Sequence, residues 1–230
     1  AGTLVHGSMF TGGGISMEAI GEAMPGSRVA WIAELEEKYS SSAMAQCLCI
    51  DDETNLLSGH VEEIEGRYFT KVDVLSFSMP CAGFSTAGKS KHGKSAVELE
   101  VPEVDSRGTP LGDFLQDDVP EDAWFDNAYL NKKAETDKAA GKGCKRQLVT
   151  PESTRIGTVG RFYQKRRSTE PFLIRADGME RLLTPLEVAS CMGIPSYLIA
   201  GSSASTQYQI CGQAVDYNQP LRLMQEIMSA

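Results

Sequence analysis

No apolar run in the chain approaches the roughly 20 residues that a membrane-spanning helix needs. The first residues carry neither a basic start nor a continuous apolar stretch, so no targeting segment is read there. The expectation is a soluble, cytoplasmic protein with no membrane partner. Cysteine is also sparse. Six in 230 residues is too few for a disulfide scaffold, which fits a reducing compartment. Cys47 and Cys49 form a C-x-C pair without a second half, so no zinc site is expected, and both read as small buried hydrophobes.

What is present is an ordinary globular composition, 41% hydrophobic and 23% charged, which argues against disorder. A chain of 230 residues can hold one sizeable core, or a larger domain carrying a smaller one. The net charge of −9 speaks against a polyanionic partner, yet its distribution is uneven. Between Lys142 and Arg175 nine bases face only Glu152 and Glu170, a local +7 that leaves −16 for the remainder. A basic segment on an acidic body points to a local nucleic-acid contact, against the plainer reading of a solvated basic face.

The first 80 residues alternate strand and helix signals. Leu4 to Met9 reads as a strand, followed by a glycine turn and a helix over Ile15 to Ala23. Val29 to Ala33 is a second strand and Tyr39 to Leu48 a second helix. Val72 to Ser78 is a third strand, apolar enough to be covered on both faces. Such alternation predicts an α/β fold with a doubly wound, mainly parallel sheet. After Pro80 the texture becomes a small, polar, basic loop, and residues 96 to 180 show no helix-strand rhythm, which predicts an irregular or mainly β region. Thr184 opens a helix with full signals: Thr184 at the N-cap, Pro185 at its first position, Glu187 completing a capping box and Gly193 past its end. A last helix is expected from Gln219 to Met228.

Two stretches carry chemistry. The turn Phe10-Thr11-Gly12-Gly13-Gly14 lies between a strand and a helix, where glycines let a ligand approach the backbone. By itself it is equally well a tight turn. Glu34 follows at the end of the second strand, about 20 residues on, where a carboxylate can accept both hydroxyls of a ribose; Glu36 and Glu37 beside it keep open a solvated acidic cluster. The second stretch is Ser78-Met79-Pro80-Cys81-Ala82-Gly83-Phe84-Ser85, which sets a cysteine at the C-terminal end of a strand. A single cysteine is most often a buried core residue, but Cys81 sits between a strand and a polar loop.

The stretch P-C-A-G-F-S-T-A-G-K is similar to the Pro-Cys loop of the DNA (cytosine-5) methyltransferases, and M-F-T-G-G-G resembles their first motif. Further matches follow in the family order. A-E-L with Glu34 resembles the ribose-binding motif, G-H-V at Gly59 to Val61 the adenine contact, R-L-L-T-P-L-E-V-A-S-C-M-G-I-P at 181 to 195 the penultimate motif, and Gln207 with G-Q-A-V at 212 to 215 the last. The resemblance implies a Rossmann-like S-adenosylmethionine-dependent methyltransferase fold with a smaller target-recognition region. It divides the chain into a catalytic part over 1–95, a recognition region over 96–200 and a C-terminal segment, 201–230, returning to the catalytic domain. It implies Cys81 as the nucleophile that attacks an extruded cytosine. S-adenosyl-L-methionine would be held by Phe10, Thr11, Gly12, Gly13, Gly14, Glu34, Leu35, His60, Val61, Pro80, Gln213, Ala214 and Val215. Ser85, Lys89, Arg155, Arg161, Lys165, Arg166 and Arg167 would touch double-stranded DNA, with the protein acting as a monomer. A restriction endonuclease or a complementing subunit is the implied protein partner.

The pattern also departs from the family. The Glu-Asn-Val motif, whose glutamate protonates the ring, and the Arg-x-Arg motif have no counterpart between Cys81 and the recognition region. A βαβ unit needs about 30 residues, so the stretch before Ser95 supplies only the first half of a doubly wound sheet. A segment deleted or omitted near Lys91 to Ala96 is the favoured reading, a complementing subunit the other. A catalytically silent DNA-binding relative and an enzyme acting on RNA are the alternative functions. Smaller departures are His60 in place of an acid, Gln213 in place of asparagine and Leu186 in place of arginine.

Overall fold

The computed structural model describes residues 2–78, 108–141 and 146–229. The chain divides into two compact units, residues 1–106 and 107–230. The motif interval around Lys91 to Ala96, like Pro80, Cys81, Ser85 and Lys89, lies outside the described residues.

The first unit is built from β1 (Val5–Met9), α1 (Ile15–Ala23), β2 (Arg28–Glu34), α2 (Glu37–Gln46), β3 (Asn55–Ser58) and β4 (Val74–Phe77). The strands form one sheet in the order β3-β2-β1-β4, and every pairing is parallel. The chain starts in the middle, winds outward through α1 and α2 to β3, and then crosses back to lay β4 on the other side of β1. Winding therefore reverses between β1 and β4, which is the switch point where open α/β sheets bind ligands at the C-terminal ends of their strands. The four-residue β3 carries too little pattern to be anticipated from sequence.

β2 is the buried spine of this sheet, with Val29, Ala30, Trp31, Ile32 and Ala33 all within the core beside Ile15, Met17, Ala19 and Ile20 of α1. Trp31 explains a glycine. Its indole N–H donates to the Thr70 carbonyl at 2.9 Å, Phe69 meets it edge-on, and a Cβ on Gly7 of the neighbouring strand would stand 2.6 Å from the ring. His6, on the other face of β1, is fully buried with its Nε2 2.9 Å from the Ser76 hydroxyl.

One expectation is corrected at β4. Its apolar run predicted a strand covered on both faces, but Leu75 and Phe77 are 48% and 62% exposed. The position fits this: among the described residues β4 is an edge strand, paired on one side with β1.

The second unit holds a small sheet of β5 (Gln147–Val149), β6 (Pro171–Ile174) and β7 (Glu180–Arg181), with β5 parallel and β7 antiparallel to β6. It also contains α3 (Ala128–Ala139), a helix absent from the sequence reading. Only Leu130 of α3 is buried, so no apolar stripe marks the helix in sequence. α4 (Pro185–Cys191) starts as predicted, with the Thr184 hydroxyl accepting from the Glu187 N–H while Glu187 accepts from the Thr184 N–H. Gly193 follows in the left-handed region at φ 64°. Glu187 is fully buried and takes a two-pronged ion pair from Arg181 at 2.6 and 2.7 Å, plus the Gln116 N–H at 2.9 Å. α5 (Ala204–Cys211), capped by Ser203, and α6 (Asn218–Ser229) complete the unit, which therefore includes the C-terminal segment 201–230. No helix among the described residues is long and apolar enough to cross a membrane.

Candidate functional site

The glycine turn leaves β1 at the switch point and is fastened to β2. Phe10 has a left-handed backbone, φ 53°, which turns the chain sharply at the end of the strand. Thr11 then grips both strands: its N–H donates to the Ala33 carbonyl at 3.2 Å and its hydroxyl lies 3.2 Å from the Ser8 carbonyl and 3.3 Å from that of Ala33. The Gly14 N–H closes the turn on the Thr11 carbonyl at 3.0 Å, and the Gly14 carbonyl accepts the first helical bond from Glu18.

Gly14 has two reasons to be glycine. Its φ is 83°, and a Cβ there would stand 2.4 Å from Cys47 Sγ and 3.1 Å from Ala43. Gly12 differs. It shares a positive φ, but a Cβ would meet nothing within 4 Å, so the turn presents an open face at this point. The sulfur beneath the turn is a packing group: burial pushes the Cys47 and Cys49 thiols up, away from thiolate chemistry at neutral pH.

Glu34 joins the turn directly. One carboxylate oxygen accepts from the Gly12 N–H at 2.7 Å, the other from the Glu36 N–H at 2.9 Å. Each oxygen keeps a further lone pair, enough for the two hydroxyls of a ribose. Leu35, 53% exposed, supplies apolar surface beside it. The Gly59 N–H donates to the Glu34 carbonyl at 3.4 Å, which brings His60 and Val61 to the same edge; His60 is exposed and its Nδ1 lies 4.0 Å from Glu62. The structure thus gathers Phe10, Thr11, Gly12, Gly13, Gly14, Glu34, Leu35, His60 and Val61 at the ends of β1, β2 and β3. An open glycine face, a fixed carboxylate with spare acceptors and a flanking apolar side chain suit a nucleoside-bearing cofactor such as S-adenosylmethionine.

The other predicted residues that are described lie in the second unit; Pro80, Cys81, Ser85 and Lys89 fall outside the described residues. Gln213, Ala214 and Val215 follow α5, with the Gln213 amide donating to the Gln209 carbonyl at 2.9 Å and Val215 exposed. The basic segment resolves into separate groups. Arg161, Lys165 and Arg167 surround one ring, Phe162, at 5.4, 4.6 and 5.4 Å from its centroid. Arg166 turns instead to Phe125, 3.9 Å from the centroid. Arg155 lies apart, on an exposed loop beside a cleft of about 230 Å³ that Phe114, Ile156 and Cys191 help to line. The sequence did not single out Phe125: it lies far from the basic segment, and only the fold brings its ring under Arg166.

No protein-family model matches the chain, and no curated protein matches it. Solved structures do. The S. pombe Dnmt2 methyltransferase aligns with a TM-score of 0.73 at 11% identity, covering 98% of this chain and 98% of that one. A mutant of Spodoptera frugiperda DNMT2 aligns at 0.69 and 13% identity over 99% of both chains. The Entamoeba histolytica methyltransferase EhMeth aligns at 0.70 and 11% identity over 100% of this chain and 99% of that one. The chain has the α/β fold of these methyltransferases, with its parallel sheet in the order β3-β2-β1-β4.

Proposed function

We propose that the protein is an S-adenosylmethionine-dependent methyltransferase that modifies carbon 5 of cytosine in double-stranded DNA, with Cys81 as nucleophile. The observation that carries this reading is the switch point between β1 and β4. The glycine turn with its tethered Glu34 leaves one strand there, and Ser78, whose N–H donates to the Met9 carbonyl at 3.3 Å, ends the other. In sequence, Cys81 follows Ser78 by three residues. The shared methyltransferase fold and the order of the sequence motifs support the assignment.

Phe10, Gly12, Glu34, Leu35, His60 and Val61 would hold the cofactor, with Pro80, Gln213, Ala214 and Val215 added by the resemblance. The cofactor supplies an electrophilic methyl group. The Cys81 thiolate adds to carbon 6 of an extruded cytosine, which makes carbon 5 nucleophilic. Once carbon 5 carries the methyl group, loss of its proton and expulsion of the thiolate restore the aromatic ring. Arg155, Arg161, Lys165, Arg166 and Arg167, with Ser85 and Lys89, would contact the nucleic acid. In domain terms, 1–95 carries the chemistry, 96–200 the recognition and 201–230 the closing segment. The exposed Leu75 and Phe77 mark the flank that a deleted or omitted segment, or a complementing subunit, would cover.

The test is transfer of a labelled methyl group to duplex DNA, together with capture of DNA containing 5-fluorocytosine. The wild-type chain is expected to do both and Cys81→Ala neither. Methylation by the alanine variant would remove the assignment. Because the Glu-Asn-Val motif is absent, binding without turnover identifies the silent relative, and methylation of RNA in competition with DNA identifies the RNA enzyme.

A further inference from the structure

Arg166 differs from the other cations of the basic segment. Besides Phe10 it is the only non-glycine residue among the described ones with a positive φ, at 53°. It ends the single 3₁₀ turn Tyr163–Lys165, donating its N–H to the Tyr163 carbonyl at 3.1 Å. Non-glycine residues enter this region rarely, and where they do the surrounding structure must hold them. The consequence is directional: Lys165 and Arg167 reach Phe162, whereas Arg166 is turned onto Phe125.

Phe125 is a firm base. Its N–H and carbonyl both bond to the Glu180 backbone, at 2.9 and 3.0 Å, and its ring meets the fully buried Phe172 edge-on at 6.3 Å. A guanidinium carbon 3.9 Å from such a ring is in close cation–π contact, which restrains the group while the exposed side chain keeps N–H donors toward solvent. Arg166 is exposed, and its guanidinium forms no hydrogen bond or ion pair among the described residues. A phosphate contact asks only for charge near a backbone, which the Phe162 cluster supplies. A fixed planar fork with two parallel N–H donors asks for two adjacent acceptors. Guanine offers that pair as O6 and N7, adenine offers one acceptor beside a donor, and cytosine offers a donor.

Building on the DNA reading above, we infer that Arg166 reads a guanine of the bound duplex, while Arg161, Lys165 and Arg167 contact phosphates. The arginine is a specificity-determining residue, and Phe125 positions it.

The experiment selects duplexes bound by the full-length chain from a pool with randomised sequence around a central cytosine. It then measures the selected duplex, and a control in which the base pair holding the selected guanine is replaced by adenine–thymine, by fluorescence anisotropy. The wild-type chain enriches guanine at one position. Arg166→Ala and Arg166→Lys lose that preference and bind the selected duplex about 10- to 100-fold more weakly, with the control within about twofold. Replacing the selected guanine by 7-deazaguanine, which lacks N7, has the same effect on the wild-type chain and none on Arg166→Ala. Phe125→Leu weakens the preference in the same direction, whereas Lys165→Ala weakens both duplexes alike. Equal weakening of both duplexes by Arg166→Ala, or a guanine preference that survives it, overturns this inference alone. A folded wild-type chain that binds no duplex overturns the DNA reading and the inference together.

Discussion

Two side chains can be tested one at a time. Glu34 accepts amide hydrogens from Gly12 and Glu36 and has lone pairs to spare, so its loss should remove hydrogen bonds to a charged acceptor and loosen the turn. Such bonds contribute about 1.5–3 kcal/mol, and Glu34→Ala is expected to weaken S-adenosylmethionine binding roughly 10- to 100-fold by calorimetry. Glu37→Ala, a few residues on, should stay within about twofold. His6 offers a pH test. Burial lowers its pKa to about 4, while an unfolded histidine titrates near 6.5. Between those values the unfolded chain binds the extra proton, so stability is full above pH 6.5 and falls as pH drops toward 4, by up to about 3 kcal/mol. Urea denaturation at pH 7 and pH 5 should show this slope, and His6→Gln should flatten it. Equal stability of the wild-type chain at both pH values would show that His6 is not buried as a neutral ring.

At the scale of elements, α4 is the clearest case. Its Glu187 is cap, anchor for Gln116 and ion-pair partner at once. Glu187→Ala leaves Arg181 buried without its partner, which typically costs about 3–5 kcal/mol, whereas Thr184→Ala removes a cap worth about 1 kcal/mol. Urea midpoints that rank the two in the opposite order would show that Arg181 finds another acceptor. The same helix shows what sequence can convey. Thr184, Pro185, Glu187 and Gly193 are local signals with local causes, and each occupies its expected place. The glycine turn and β1, β2 and α1 were readable for the same reason. α3 was not, because a helix touching the core through Leu130 alone leaves no periodic stripe. β4 misled in the opposite direction: apolar residues say that a strand can be covered, not that anything described covers it. At the candidate site, Phe10 to Gly14 and Glu34 could be paired from their spacing. The contact of Arg166 with Phe125 could not, since 41 positions separate them and neither neighbourhood hints at the other.

For the whole molecule the governing quantity is the uneven charge. An acidic body of net −16 repels nucleic acid at long range, while the segment from Lys142 to Arg175 attracts it. Affinity should therefore fall steeply with salt, and each phosphate contact removed among Arg161, Lys165 and Arg167 should reduce the log–log slope by about one. Anisotropy titrations from 50 to 200 mM salt would check this, and a slope unchanged by Lys165→Ala would take that residue out of the interface.

The bond between Gly12 and Glu34 has one more effect. It makes the end of the first strand and the end of the second a single braced socket, finished when the chain folds. A nucleoside arriving there would dock without reshaping its receptor, so amide exchange at Thr11, Gly12 and Gly14 should already be slow before any ligand is added.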